Sequence, residues 1–159
     1  MGAPPMLGTS YEKQNCSAAR ALELVGERWS LLILRDALFR GMNRFSEFER
    51  SLGIAPNILA KRLDTFVESG LMQRTTAVDD GAPVYRPTPK GLAFKPVIIA
   101  LTEWGDRWAA PEGPPVYFEH RDCKGRLTLQ IQCAKCSSVP AIADICAIPK
   151  KRRGRSDQR

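Results

Sequence analysis

The sequence contains no long hydrophobic run. A helix needs roughly 18–20 apolar residues to cross a bilayer, and no stretch of this chain approaches that length. Residues 1–14 also lack the basic-then-apolar layout of a secretion signal, and their Gly, Pro and Ser content predicts a flexible N-terminus. We therefore expect a cytoplasmic protein with no membrane-spanning segment.

Histidine is nearly absent. The single histidine, His120, would have to serve in any Ser-His-Asp or Cys-His catalytic arrangement. No Gly-rich phosphate-binding loop is present, because Gly70, Gly81 and Gly91 are isolated. These absences predict that the protein is not an enzyme.

Positive charge is in excess but unevenly distributed. The net charge of +7 favours a polyanionic partner. Residues 150–159 hold six basic side chains and one acidic side chain, so they supply +5 of that total. We predict a disordered basic tail over 149–159, which alone fits either a nucleic-acid binder of any kind or an end that only increases solubility. The charge supports DNA binding but does not establish it.

The spacing of apolar residues predicts a helical domain over 15–108. Four helices are expected before residue 70, with Asn15 as the cap of the first. The fourth helix should open at Ala55 and Pro56, since proline is tolerated where its missing N–H is not needed. Gly53 ends the third helix, so the two helices are joined by a tight turn.

Strand-like segments after the fourth helix predict a hairpin, with strands at 71–78 and 84–86 and a turn at 79–83. A last helix is expected from Pro89 onward, kinked where Pro96 removes a backbone hydrogen bond. Helix, tight turn, helix and hairpin in this order are typical of a winged helix-turn-helix domain. We expect a mainly α fold with a small β wing.

The second helix of the pair would enter the DNA major groove with its N-terminal end. Asn57 suits a bidentate contact with adenine, Ala60 a thymine methyl group, and Lys61 a phosphate or guanine. The predicted DNA-contacting residues of the helix pair and the hairpin are Arg44, Ser46, Pro56, Asn57, Ala60, Lys61, Arg62, Arg74 and Arg86.

Several segments, in the same order, resemble the HxlR-type regulators of the MarR-like winged helix-turn-helix superfamily. The ordered combination is more specific than any one segment. Together the similar segments span about 15–108, and they are Cys16, 21–29, 32–35, 44–48, 53–56, Leu59, 62–63, 70–71, 84–91, Leu101 and 104–105.

This resemblance implies a homodimeric bacterial regulator that binds double-stranded DNA at palindromic operators, and we expect a repressor. The first and last helices would form the dimer. Two features depart from the family: Ala55 replaces a Ser-like cap, and Asp79 and Asp80 make the wing tip acidic. Because acids repel phosphates, the wing should contribute little, or only through Arg74 and Arg86.

Cys16 stands at the start of the first predicted helix, where the helix dipole lowers a thiol pKa. Some regulators that this chain resembles use a cysteine at that place to sense oxidants or electrophiles. Two interpretations stay open, a redox sensor and a small buried hydrophobic residue. The regulator would then respond to thiol oxidation or to a small ligand, which the sequence does not name.

The segment 116–148 has zinc-ribbon spacing. Two residues separate His120 from Cys123 and Cys133 from Cys136, and nine residues lie between the pairs. A set of three cysteines and one histidine is a valid tetrahedral site. We expect a small β-rich appendage with one structural zinc, or a remnant of that fold without metal.

Two functions remain in competition. The first is a dimeric, sequence-specific DNA-binding regulator that reads bases with the helix pair. The second is a zinc-ribbon protein-interaction module whose DNA affinity is non-specific and comes from the basic tail. They differ at Asn57 and Lys61, because only the first function needs these side chains.

Overall fold

The computed structural model describes residues 10–11 and 14–148. The predicted basic tail over 149–159 lies outside the described residues, as does most of the predicted flexible N-terminus. The chain divides into two compact units, with the boundary between Pro115 and Val116. The first unit contains the helices and the hairpin, and the second contains the four predicted zinc ligands.

The first unit is mainly helical with one small antiparallel sheet, which confirms the predicted fold class for this part of the chain. Its helices are α1 Ser17–Val25, α2 Ser30–Phe39, α3 Phe45–Leu52, α4 Pro56–Glu68, α5 Pro89–Leu92 and α6 Lys95–Trp108. Its strands are β1 Met72–Thr76 and β2 Pro83–Pro87. No helix in the described ranges is long and apolar enough to cross a membrane.

The apolar core of this unit fixes the orientation of α4. Leu59, Leu63 and Phe66 of this helix are fully buried. Burying a side chain of this kind contributes roughly 1.5–3 kcal/mol. Because the three share one face, the opposite face of α4 is held toward solvent.

A three-residue turn joins α3 to α4. Gly53 ends α3 with φ at 59°, in the left-handed region that glycine adopts without steric cost. Ile54 is buried, and Ala55 is the extended residue before Pro56, which begins α4 as predicted. Ala55 makes no side-chain capping bond. The buried side chain of Ile54, rather than a polar capping side chain, therefore holds this turn.

The start of α3 is capped by a carboxylate of its own first turn. The Oε2 atom of Glu47 accepts hydrogen bonds from the backbone N–H of Asn43 at 2.8 Å and of Arg44 at 2.9 Å. These bonds lower the pKa of Glu47, since they favour the ionised form. The N–H of Tyr85 in β2 donates to the carbonyl of Asn43 at 2.8 Å, so β2 is anchored at the same place.

Two predictions about helix ends are wrong. Cys16, not Asn15, is the residue before α1, and it forms no side-chain capping bond. The last helix is not one kinked helix, because α5 ends at Leu92 and α6 begins at Lys95. Pro96 therefore lies in the first turn of α6, where backbone N–H groups have no helical partner to lose.

We use the name wing for β1, β2 and the loop 77–82 between them. The strands pair from Met72 opposite Pro87 to Thr76 opposite Pro83. Each strand has five residues, so the first is shorter than predicted and the second is longer. A backbone hydrogen bond of 2.9 Å between the ends of the loop closes the hairpin.

The second unit has little regular structure over 116–148. Its elements are one isolated bridge, Glu119 to Arg126, and a 3₁₀ turn at Ile142–Asp144. The structure does not show the predicted β-rich appendage in the described residues. Apolar and polar residues alternate along 126–131 as in a strand, but a strand needs a partner and a core face to cover, and no residue of 116–148 is buried.

Candidate nucleic-acid interface

The N-terminal part of α4 presents an exposed polar face. Asn57 and Lys61 are one helical turn apart and project from the same side, opposite to Leu59 and Leu63. Both side chains are exposed, and neither has a hydrogen-bond or ion-pair partner within the described ranges. Ala60 is half-buried beside them. This face therefore offers an amide and an ammonium group to an external partner.

The first turns of α3 and α4 carry three further exposed residues, Ser46, Pro56 and Ile58. Ile58 is 41% exposed, although it is aliphatic. Ala55 provides no side-chain cap and the first turn of α4 carries no acidic residue, so neither of these groups neutralises the positive end of the helix dipole. An anion such as a phosphate is favoured at such an end.

Arg62, also predicted to contact DNA, lies on a covered side of α4. Its side chain is 11% exposed, and its Nη1 atom lies 3.9 Å from Oε2 of Glu27. Its Nε atom is buried and has no hydrogen-bond partner in the part of the chain that the structure describes. Arg62 therefore links α4 to the segment before α2. This covered position does not fit the predicted DNA contact.

Arg44, predicted to hold the DNA backbone, is paired with the tip of the wing. Its Nη1 atom lies 2.8 Å from Oδ1 of Asp80, and its Nη2 atom lies 3.1 Å from Oδ1 of Asp79. The second oxygens of the two carboxylates follow at 3.0 and 3.3 Å. The hydrogen bonds raise the pKa of Arg44 and lower the pKa of Asp80. We name these three residues the wing latch.

The sequence did not reveal the wing latch. Its two acids were interpreted as groups that would repel phosphates, and their pairing with Arg44, more than 30 positions earlier, was missed. The pairing depends on the anchor of Tyr85 on Asn43, which brings the loop 77–82 to the start of α3. A backbone bond of this kind leaves no signature in the side chains.

The two predicted wing contacts lie on opposite faces of the hairpin. Arg74 is opposite Tyr85 and Arg86 is opposite Gln73, and neighbouring positions of a strand alternate between faces. Nη1 of Arg74 lies 3.7 Å from Oδ1 of Asp64 in α4, whereas Arg86 is exposed. The two arginines therefore project from different faces of the wing and do not form one contact surface.

The helix pair and wing are shared with a family of regulators. Residues 24–113 match the HxlR-like helix-turn-helix family. An HTH-type transcriptional regulator of Mycobacterium tuberculosis is 41% identical over 129 residues, which cover 80% of this chain and 81% of that protein. The chain belongs to the HxlR-like family.

Two solved structures extend this similarity to the fold. PA1607, assigned as a transcription factor, is 38% identical with a TM-score of 0.77, covering 87% of this chain and 97% of that one. PA1374 of Pseudomonas aeruginosa, with the same assignment, is 37% identical with a TM-score of 0.60, covering 88% and 96%. This HxlR-like protein is therefore a helix-turn-helix transcriptional regulator that binds DNA, and its family is one of regulators rather than enzymes.

The outer side of α6 in this HxlR-like protein is apolar. Val97 and Leu101 are 48% and 49% exposed, and Trp104 and Trp108 are 62% and 65% exposed. Their spacing of four, three and four residues places them along one side of the helix. Ile98, on another side, is buried in the core. The helix thus presents a large apolar stripe to solvent.

Cys16 is exposed at the N-terminus of α1. The backbone N–H groups of Ala19 and Ala18, in the first turn of α1, face its sulfur and lower its pKa because they favour the thiolate. The interpretation of Cys16 as a buried hydrophobic residue is therefore wrong. Its role as a sensor stays a prediction.

The four predicted zinc ligands form two close pairs. Nδ1 of His120 lies 3.2 Å from Sγ of Cys123. In the other pair, hydrogen bonds from Ser138 and Cys133 lower the pKa of Cys136 to about 7. Within the described residues, no three His, Cys, Asp or Glu side chains are gathered as a metal site. The structure therefore assembles the pairs and not the predicted set of four.

Proposed function

We propose that this HxlR-like regulator is a homodimeric repressor that binds palindromic operators through α4. The observation that supports the proposal is the exposed pair Asn57 and Lys61 on a helix whose opposite face is fully buried. A helix held in this way fixes the backbone positions from which its exposed side chains extend, which base-specific reading requires. A dimer seated on a promoter would exclude RNA polymerase, and repression is the simplest result.

In this proposal Asn57 carries most of the base specificity. Its amide can donate and accept at once, as the edge of adenine in the major groove requires. Lys61 contacts a phosphate or guanine, and the small Ala60 leaves room for a thymine methyl group. Ser46 and the start of α4 contact the DNA backbone, which positions the helix without reading sequence.

The wing latch limits what the wing adds. A phosphate that binds Arg44 must compete with the two carboxylates that already occupy its donors. Asp79 and Asp80 also place negative charge at the wing tip, which repels the DNA backbone. The proposed complex therefore depends on α4 more than on the wing.

The apolar stripe of α6, together with Leu22 of α1, is the proposed dimer surface. Leu22 is 45% exposed, and the stripe adds two tryptophans that water solvates poorly. Burial of such surface contributes roughly 25 cal/mol per Å². A second copy of the chain is the proposed occupant, because a palindromic operator needs two α4 helices about one DNA turn apart.

Selection of bound sequences from random DNA tests the proposal. The full chain should select a palindrome with half-sites about one DNA turn apart. Deletion of residues 150–159 should weaken binding to all sequences alike and flatten its salt dependence. Equal affinity for selected and random DNA would overturn the proposal and favour the alternative, a zinc-ribbon interaction module with non-specific DNA affinity.

Sedimentation of the purified chain tests the dimer. Leu101→Glu places a charge in the apolar stripe and should give a monomer that has lost operator affinity. Val78→Glu introduces the same charge at a fully exposed position of the wing and serves as the matched control, which should remain dimeric. A wild-type chain that binds its operator as a monomer contradicts the proposal.

We also propose that oxidation of Cys16 releases the operator. Its exposure and lowered pKa favour the thiolate, which is the form that peroxides oxidise to sulfenic acid. Operator binding should be lost on oxidation in the wild type and in Cys146→Ser, and retained in Cys16→Ser. Release from Cys16→Ser under oxidant would exclude this residue as the sensor.

A further inference from the structure

Two six-residue turns in the second unit, 120–125 and 133–138, share one backbone plan. In the first, the N–H of Lys124 donates to the carbonyl of His120 at 2.8 Å. The N–H of His120 in turn donates to the carbonyl of Gly125, also at 2.8 Å. We name both segments ligand turns, because each contains two of the residues with zinc-ribbon spacing.

The second ligand turn repeats both bonds at matching positions. The N–H of Ser137 donates to the carbonyl of Cys133, and the N–H of Cys133 donates to the carbonyl of Ser138, each at 2.9 Å. Lys124 and Ser137, which match in position, both have φ at 58°, and in the described ranges they are the non-glycine residues with positive φ. Two non-glycine residues with positive φ at equivalent positions indicate that both turns need the same backbone conformation.

The donor atoms of the first ligand turn already lie at a chelating distance. Zn–S and Zn–N bonds of about 2.3 and 2.0 Å at a tetrahedral angle place the two donors about 3.5 Å apart. Nδ1 of His120 and Sγ of Cys123 are separated by 3.2 Å. The backbone N–H of Gly125 donates to the same sulfur at 3.4 Å. A Cβ atom added at Gly125 would lie only 3.2 Å from this sulfur. The hydroxyl of Ser138 lies 3.0 Å from Sγ of Cys136 in the second turn.

The described part of the second unit, 116–148, contains no buried core that would hold these turns. No residue of 116–148 is buried, and apolar side chains such as Ile131 and Ile142 are more than half exposed. Units of about 40 residues bury little surface, and around this size disulfides, metals or oligomerisation commonly supply the missing stability. The cysteines of this segment are free thiols. A metal ion would supply the missing stabilisation.

We propose that one zinc ion joins the two ligand turns through the sulfurs of Cys123, Cys133 and Cys136 and a ring nitrogen of His120. Three thiolates and a neutral imidazole fill a tetrahedral shell, so the ion is structural rather than catalytic. Binding displaces three thiol protons. The structure gathers each pair and not all four residues, so the ion is the element that brings the turns together. This proposal does not depend on how the protein reads DNA.

The zinc content of the full chain, purified without an affinity tag under reducing conditions, tests the proposal. We expect one zinc per chain after dialysis. Cys133→Ser should lose the ion, whereas Cys146→Ser and Cys16→Ser, which alter cysteines outside the ligand turns, should keep it. Circular dichroism checks that each variant retains the helices of the first unit.

Cobalt substitution gives a second measurement. Cobalt bound by three thiolates in tetrahedral geometry should give strong visible absorption that is absent from Cys133→Ser. A wild-type chain that takes up no zinc, even when refolded with zinc and reductant, overturns the proposal. Zinc retained in all of the variants Cys123→Ser, Cys133→Ser and Cys136→Ser also overturns it, because the ion would then lie elsewhere.

Discussion

Helix α4 and the wing are consecutive in the chain, yet they hold their exposed residues in opposite ways. In α4 the polar face is supported from below by Leu59, Leu63 and Phe66, all fully buried. The functional groups above, on Asn57 and Lys61, are exposed to solvent. This region combines a rigid base with side chains that are free to bind.

The tip of the wing has neither property. No residue of the loop 77–82 is buried, and its two acids are occupied by Arg44. The loop is positioned by the wing latch and by the backbone anchor of Tyr85 on Asn43. The difference shows what base reading would require of an element, namely firm support from the core together with unoccupied hydrogen-bond donors.

The largest expected effect tests the support of α4. Leu63→Ala removes a fully buried side chain and should destabilise the protein by about 2–5 kcal/mol, through lost burial and the cavity that remains. Val78→Ala at the fully exposed wing tip should change stability by roughly 0.5 kcal/mol or less. Urea unfolding measures both. Equal losses would mean that the two regions are supported alike.

The next effect separates reading from positioning within α4. Asn57→Ala should cost about 1–3 kcal/mol of affinity, confined to operators with the preferred base at one position of each half-site. Lys61→Ala should weaken all operators similarly if it contacts a phosphate. Titration of operator variants at fixed salt distinguishes the two patterns. A uniform loss in Asn57→Ala would remove this residue from base recognition.

A smaller effect concerns the junction where α3 and the wing meet. Glu47 has a lowered pKa, so its carboxylate stabilises the fold above the pKa of the unfolded chain, about 4.3 for glutamate, and this stability is lost as pH falls through the folded value. Glu47→Gln should cost roughly 0.5–1 kcal/mol near neutrality and nothing at low pH. The matched variant Glu49→Gln changes a carboxylate of the same helix that makes neither of the two bonds to Asn43 and Arg44, so it should cost less near neutrality. Urea unfolding measures both variants, with Glu47→Gln followed at several pH values.

Much of the first unit was predictable from local pattern. The stripe of α4 follows from apolar spacing, and the limits of the turn before it follow from Gly53 and Pro56, whose backbone preferences act within a few residues. Pro96 shows the limit of this reasoning. The same residue either kinks a helix or begins one, and the outcome depends on the break between Leu92 and Lys95, which the spacing of apolar residues does not show.

The candidate site was predictable only at residues whose exposure does not depend on a partner distant in sequence. Asn57 and Lys61 were found because exposure follows from helical periodicity. Arg62 was predicted to contact DNA, and its proximity to Glu27 was not predicted because Glu27 is distant in sequence. The pairing of Arg44 was missed for the same reason. The sequence shows which charged groups could attract each other, but not which of them lie close together in the fold.

The smallest effect tests the wing latch itself. The double variant Asp79→Asn and Asp80→Asn removes both carboxylates that hold Arg44, while the amides preserve side-chain size. Operator affinity at low salt should rise a few-fold and fall more steeply with added salt, because Arg44 becomes free to release a counterion from the DNA backbone. The matched double variant Glu112→Gln and Asp144→Asn changes the net charge equally at exposed positions outside the wing.

If both double variants gain the same affinity, net charge alone explains the effect and the wing latch does not compete with DNA. A gain confined to the wing, abolished by adding Arg44→Gln, would show that the acidic tip withholds one phosphate contact from an interface otherwise carried by α4.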